Sequence, residues 1–255
     1  MQQPAVSSVR WEWINEGWQA FAAKWGMWIV HSLVAFLVML AVMVPFFILL
    51  GLSGVFSIPA NGEAPPAPSP FFFLVIAVIY PIIFLVTCYL MAGYFKTALK
   101  QLRGEPTSLG DLFSGGDCFL RVAGTLLLLV ILGSIGLLFC IFPGLIIYGL
   151  CMFALPLTVD KKLGPIAAIQ ASIEATKKDW VMYTFFALVV YIIASVGAML
   201  CYVGLLASYP LYFLIISVAY RQVFGLNGNS PANYSPPAPP NYGEYNPPPP
   251  PSSWQ

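Results

Sequence analysis

From Val122 to Val159 the chain runs for 38 residues without a charged side chain, and from Val181 to Tyr220 for another 40. An α-helix of 38 residues would be about 57 Å long, against a hydrocarbon core of about 30 Å. Each block therefore predicts two membrane-spanning helices. Pro143-Gly144 lies near the midpoint of the first block. Proline ends one helix or opens the next, and glycine permits a reversal. A single kinked helix is the alternative. In the second block Gly197, Gly204 and Pro210 predict a turn within residues 201–208. Two further apolar runs, residues 27–51 with Pro45 and 71–94 with Pro81, flank the turn-rich stretch SGVFSIPANGEAPPAPSP. Proline inside a membrane helix is tolerated where neighbours satisfy the freed carbonyl. None of these runs alternates apolar with polar residues, as the strands of a membrane β-barrel would. The pattern predicts six spans, at about residues 27–51, 71–94, 122–141, 144–159, 181–201 and 206–224.

Two shorter segments follow a helical period with one polar side. From Ser8, the residues Trp11, Ile14, Trp18, Phe21, Trp25 and Trp28 recur at spacings of three and four, with Glu12, Glu16, Gln19 and Lys24 off that stripe. Indole rings favour the bilayer interface. Residues 1–25 therefore predict an amphipathic interfacial helix leading into the first span, or one packed on the protein's own cytosolic loops. Pro165 can open a second such helix, with Ile166, Ile169 and Ile173 on one face and Gln170, Glu174, Lys177 and Lys178 around the other. It would lie on the membrane surface or cap the bundle.

Residues 226–255 differ in kind. Ten of the thirty are proline, too many for a packed core, so a disordered tail rich in polyproline II is expected. Pro239-Pro240-Asn241-Tyr242 has the PPxY form, and Pro236-Pro237-Ala238-Pro239 the PxxP form, that aromatic-lined grooves bind. The tail either recruits a cytosolic protein or is simply solvated.

Composition agrees with the block pattern. Of 255 residues 59% are hydrophobic and 8% charged, against about 25% charged in soluble domains. The placement of the positive charges carries more than their number. All eleven Lys and Arg fall in the N-terminal segment (Arg10, Lys24), the second loop (Lys96, Lys100, Arg103, Arg121), the fourth loop (Lys161, Lys162, Lys177, Lys178) or after the last span (Arg221). Positive charge stays cytoplasmic. Six spans then put both termini inside, whereas a kinked single helix at Pro143 would send four lysines to the opposite side. The first 24 residues lack the basic start and short apolar core of a cleavable signal.

Candidate chemistry is sparse. His31, about one turn into the first span and near Trp28, is either a hydrogen-bonded interface residue or a proton or ligand site. Asp111, Asp117, Asp160, Glu174 and Asp179 lie in the charged loops, where they either pair with lysines or form a catalytic or metal set. Cys88, Cys118, Cys140, Cys151 and Cys201 show no paired spacing and read as buried thiols. Phe113 to Cys118, FSGGDC, lacks the Lys-Ser/Thr of a phosphate loop. No catalytic, cofactor-binding or metal-ligating residue is assigned, and no cofactor or nucleic-acid partner is expected. The expected partners are membrane lipids and a cytosolic protein engaged by the tail.

The stretch FPGLIIYGLCMFALPLTVDKKLGPIAAIQASIEATKKDW, with LKQLRGEPTSLGDLFSG and YRQVFG, resembles a group of uncharacterised bacterial multi-pass membrane proteins. The group includes the membrane domain fused to some glycerophosphodiester phosphodiesterases and the YciC-like proteins. The resemblance covers about residues 15–225. It implies a bacterial inner-membrane location and a six-helix fold, and brings no activity, because the phosphodiesterase of such fusions is a separate soluble barrel. The proline-rich tail departs from the pattern. The expectation is an all-α integral membrane protein: a six-helix transmembrane domain over 26–225, cytosolic amphipathic helices and a disordered tail. It would anchor or organise partners; a transporter, channel or lipid-binding bundle for neutral or amphipathic solutes is the alternative.

Overall fold

The computed structural model describes residues 8–53, 67–139, 141–199 and 204–226. The proline-rich tail, most of the first loop and most of the stretch before Gly204 where a turn is expected lie outside the described residues. Among those described, every regular element is helical. Five helical stretches are long and apolar enough to cross a membrane: Trp25–Leu52, Pro70–Leu102, Phe119–Phe139, Phe142–Asp160 and Pro165–Met199.

Helix α1 spans Glu12–Ala23, and its first-turn Glu12 complements the helix dipole. Its inner face is Trp13, Gly17 and Phe21, and Gly17 lies directly against Ile215. The single tryptophan stripe expected from the sequence is divided. Phe21 and Trp28 are buried, Trp11, Trp18 and Trp25 face outward, and Trp13, off the stripe, is fully buried. Within α1 the face that packs on the helix carrying Ile215 is Trp13, Gly17 and Phe21, four residues apart, which turns Trp18 outward; beyond it the chain breaks helical geometry at Lys24 (φ −137°, ψ 34°) before α2 begins. One period cannot run across two helix axes.

Helices α2 (Trp25–Leu52) and α3 (Pro70–Leu102) carry Pro45 and Pro81 inside them. Ser69 caps α3, accepting from the Phe72 N–H, with Pro70 in the first turn. α3 continues well past residue 94, through a stretch expected to be loop. Its last turns bury Tyr94, Phe95, Ala98 and Leu99 at helical spacing, while Lys96, Lys100 and Arg103 reach polar partners. Gly104, at φ +78°, then adopts the left-handed conformation that closes a helix. A 3-10 segment, Leu109–Asp117, folds back along α3, opened by a capping box between Ser108 and Asp111. It seats so closely that a Cβ on Gly93 would overlap the Leu112 carbonyl.

Helices α4 (Phe119–Phe139) and α5 (Ile141–Leu150) form a hairpin. Gly136 packs on Gly144 near one end, and at the other end of α4 Thr125 meets Thr158, eight residues beyond α5. The chain therefore folds back rather than kinking. Pro143 lies in the first turn of α5. Gly144 is helical, and its lack of a side chain serves the close approach to α4 rather than the reversal itself.

The fourth expected span is not continuous. α5 gives way to a turn at 151–153 before α6, Ala154–Asp160. Pro156 has no N–H and its ring crowds the carbonyl four residues back, which accounts for the break. Helix α7, Pro165–Thr176, repairs it. Ser172 donates to the Leu150 carbonyl (2.7 Å) and accepts from the Phe153 N–H (3.2 Å), and Thr176 donates to the same carbonyl (3.1 Å). α7 thus packs on the bundle by Ala168, Ile169, Ala171, Ser172 and Thr176, leaving Ile166 exposed.

A short 3-10 turn, Lys177–Asp179, leads to α8, Trp180–Met199, and the last helix among the described residues is α9, Leu205–Phe224. Ser208 of α9 donates to the Ala194 carbonyl of α8 at 2.7 Å. α9 is the hub, packing on α1, α2, α3 and α8. It is not among the five apolar stretches, because Tyr209, Tyr212, Tyr220, Arg221 and Gln222 lower its hydropathy. The main core gathers α1, α9, the inner half of α3, and α6 to α8. By contrast, only 11% of the most apolar window of α2, and likewise of α3, is buried. Exposed Phe36, Leu37, Phe47, Phe73 and Leu74 form a surface too apolar for water.

Candidate functional site

Polar contacts concentrate at the end of the bundle where α1 meets the ends of α3, α6 and α9. Glu16 of α1 receives Arg221 at 3.0 Å and Gln222 at 2.9 Å from α9. Gln101 of α3 accepts from the Trp28 indole at 2.8 Å and donates to the Ala20 carbonyl at 2.6 Å, tying α1, α2 and α3 together. Lys24 donates to Thr107 at 3.0 Å, and Lys161 to the Phe224 carbonyl at 3.0 Å. Burial holds the Lys161 amine below its ordinary pKa, with neighbouring Asp160 opposing the shift.

At the centre of this layer is Asp160, whose side chain is fully buried at the end of α6. It accepts from Arg103 and, at 2.8 Å, from the Tyr220 hydroxyl. A carboxylate without solvent requires such partners. Beside it opens a cleft of about 340 Å³, lined by Lys96, Leu99, Arg103, Glu105, Asp117, Val159, Asp160 and Lys162. Lys96 donates to Asp117 (2.9 Å) and to the Ser114 carbonyl (2.7 Å). Lys162 reaches the other Asp117 oxygen at 3.8 Å, and Arg103 reaches Glu105 at 4.0 Å. Hydrogen bonding from Lys96, outweighing partial burial, holds the Asp117 carboxyl below its usual range. Burial opposes ionisation of Asp111, but hydrogen bonds from Lys100 and Ser108 outweigh it and lower that carboxyl too.

Of the five carboxylates singled out from the sequence, the structure brings Asp117 and Asp160 to one cleft. Asp111 pairs with Lys100 and Glu174 with Lys177; Asp179 sits in the turn before α8. No group of three His, Cys, Asp or Glu that could hold a metal ion occurs among the described residues. Cys88, Cys118 and Cys151 are buried free thiols. The ring of His31 is fully buried; Nδ1 bonds the Met27 carbonyl at 2.9 Å, and Nε2 has no protein partner. Sequence reasoning missed Glu16, Gln101 and Tyr220, which have no marker in a one-dimensional pattern. It also passed over Lys162, whose φ of +53° is the only positive value among the described non-glycine residues.

Relatives of this chain are uncharacterised. Proteins of Mycobacterium bovis and Mycobacterium tuberculosis, both described only as uncharacterised, are 33% identical to it over 161 residues, 63% of this chain and 48% of theirs. A second Mycobacterium tuberculosis protein, also uncharacterised, is 32% identical over the same length. The chain spans about half the length of the curated relatives it matches. No family model and no solved structure matches it, so the resemblance to the phosphodiesterase membrane domain and the YciC-like proteins rests on the quoted stretches alone. The helices and the relatives together support a multi-pass membrane protein of unknown function.

Proposed function

We propose that this chain is a bacterial inner-membrane protein of six spans with both termini cytoplasmic, and that it is a non-enzymatic anchor whose cytosolic loops and tail bind partners. One observation carries the reading. Arg10 and Glu16, Lys96 and Arg103, Asp160 to Lys162, and Arg221 come from four separate stretches, yet they are joined in one polar layer at one end of the bundle. Between them the chain leaves and returns three times, which needs an even number of crossings. α9 supplies the sixth, since a helix wrapped by protein can be less apolar than one facing lipid. The outward Trp11, Trp18 and Trp25, seven residues apart, would lie in the inner headgroup region.

Impermeant thiol labelling tests the topology in a chain stripped of its own cysteines. Cysteine placed at Ser57 should react from outside intact cells, and cysteine at Lys178 or Ser230 only after permeabilisation. Labelling of Lys178→Cys in intact cells would sink the six-span reading. For the anchor, mass spectrometry of material copurified in polymer nanodiscs should find a protein that is lost when the chain ends at Gly225. A chain that carries no specific protein with or without its tail is not such an anchor.

A conduit or lipid-binding bundle is the second reading, favoured by the break between α5 and α6. Discontinuous helices line sites in transporters. Here the Leu150 and Phe153 backbone groups are taken by Ser172 and Thr176, so the break is filled by protein, and the anchor reading leads.

A further inference from the structure

The lining of the cleft beside Asp160 is balanced: Lys96, Arg103 and Lys162 against Glu105, Asp117 and Asp160. We propose that it binds a phosphate group carrying a primary ammonium nearby, the chemistry of a phosphoethanolamine head group. This goes beyond the anchor reading and rests only on this end lying at a membrane surface.

Four observations lead there. First, the charges are unequally committed. Asp160 is buried and held by Arg103 and Tyr220. Asp117 and Glu105 are about half exposed; Asp117 accepts from Lys96 at 2.9 Å, but its second oxygen meets Lys162 only at 3.8 Å and Glu105 meets Arg103 only at 4.0 Å, the outer limit of an ion pair. The second observation is the backbone of Lys162. A left-handed conformation costs a side chain that glycine would spare. It occurs here on a residue lining the cleft, with its ammonium near Asp117. Third, a phosphate offers several acceptor oxygens, which suit Lys96, Lys162 and the guanidinium of Arg103 together. Lys96 would exchange its bond to Asp117 for one to the phosphate, and the half-exposed carboxylates of Asp117 and Glu105 would then take the ammonium in its place. A purely anionic ligand would meet those carboxylates, and a simple cation the lysines; a zwitterion meets neither conflict. Fourth, Leu109, Phe113 and Leu120 expose large apolar surface on the 3-10 segment and on the start of α4. That surface suits acyl chains beside a head group.

Native mass spectrometry of the full chain, released from nanodiscs with equal phosphatidylethanolamine, phosphatidylcholine and phosphatidylglycerol, tests this. One phosphatidylethanolamine should be retained per chain, at least about tenfold over the other two. Lys162→Gly removes the ammonium and relaxes the backbone, so it should lose that retention with an unchanged or raised Tm. Lys96→Gln should weaken it, and Lys177→Gln, which pairs with Glu174 outside the cleft, should leave it intact. Equal retention of the three lipids would overturn the proposal, unless soluble O-phosphorylethanolamine binds with a dependence on Lys162, which assigns the same site to a soluble phosphoamine. Preference for phosphatidylglycerol overturns the zwitterion, and full retention by Lys162→Gly overturns the site.

Discussion

The interrupted α5–α6 helix depends on two hydroxyls, and removing them has a calculable cost. Ser172→Ala takes two hydrogen bonds: its own to the Leu150 carbonyl and the one it receives from the Phe153 N–H. Leu150 keeps Thr176, so the Phe153 N–H bears the loss, about 1–3 kcal/mol for a buried group without a partner. Alanine returns about 0.5 kcal/mol in helix propensity. Thr176→Val preserves shape and leaves the Leu150 carbonyl bonded to Ser172, so it should cost about 0.5–1.5 kcal/mol. In the double variant both backbone groups are orphaned, for about 2–6 kcal/mol in all. Because the two hydroxyls share one carbonyl, the double loss should exceed the sum of the singles by about 1 kcal/mol. Reversible unfolding in mixed micelles, titrated with SDS, measures the cycle. A double variant no less stable than Ser172→Ala would show that the hydroxyls do not sustain the break.

Further outcomes follow from single contacts. Gly93→Ala should force the 3-10 segment off α3 at about 1–3 kcal/mol and make Cys118, 2% exposed, reactive toward maleimide in a variant with no other cysteine; unchanged protection would refute the packing. Arg103→Met removes the guanidinium that faces the buried Asp160 carboxylate, leaving the Tyr220 hydroxyl on it, and should lower stability by up to about 3–5 kcal/mol, with Asp160→Leu added on top recovering part of it; a double variant less stable than Arg103→Met contradicts this. Asp111 and Asp117 are held below the ordinary value of 3.8, so their contribution is complete above that pH and is lost as pH falls through the lower folded values. Hydrogen exchange over 109–117, corrected for its intrinsic pH dependence, should rise only in acid; a rise near neutrality would point to another group. His31→Phe removes an unpartnered Nε2 and should change stability by less than about 1 kcal/mol; a large loss of stability would reveal a partner for that nitrogen.

How much of this was legible in the sequence depended on the length scale. The 38-residue uncharged block required a fold-back because no single helix of that length fits a bilayer, and the α4–α5 hairpin has that form. What Pro143 and Gly144 each do was not legible. Both fit a turn in one dimension, and only the contact between Gly136 and Gly144 assigns the glycine to packing. The break at 151–153 was missed because Pro156 marks a disturbance without saying where the freed groups go. Ser172 and Thr176 lie some twenty residues on and look like ordinary helix residues. In the cleft, Asp117 and Asp160 were recognisable one by one as charged-loop residues. Their meeting through Lys96, Arg103 and Lys162 is a product of tertiary structure, and the strain at Lys162 is a dihedral angle with no letter of its own.

Helix α9 shows why hydropathy and membrane position part company. α2 and α3 present long apolar flanks, and their composition reports what surrounds them. α9 is enclosed by α1, α2, α3 and α8, with Phe213 to Ile216 and Val218 to Tyr220 almost free of exposure. Its neighbours can therefore satisfy polar groups that lipid would not: Tyr212 meets Tyr148, and Tyr220 meets Asp160. The same reasoning covers residues 142–160, whose most apolar window is 61% buried against 11% in α2, and where a broken backbone is capped by hydroxyls. Apolar length locates the helices that meet lipid. The helices that hold the bundle together are the ones that protein has released from that requirement, so polar residues inside the α9 run mark its centre rather than its edge.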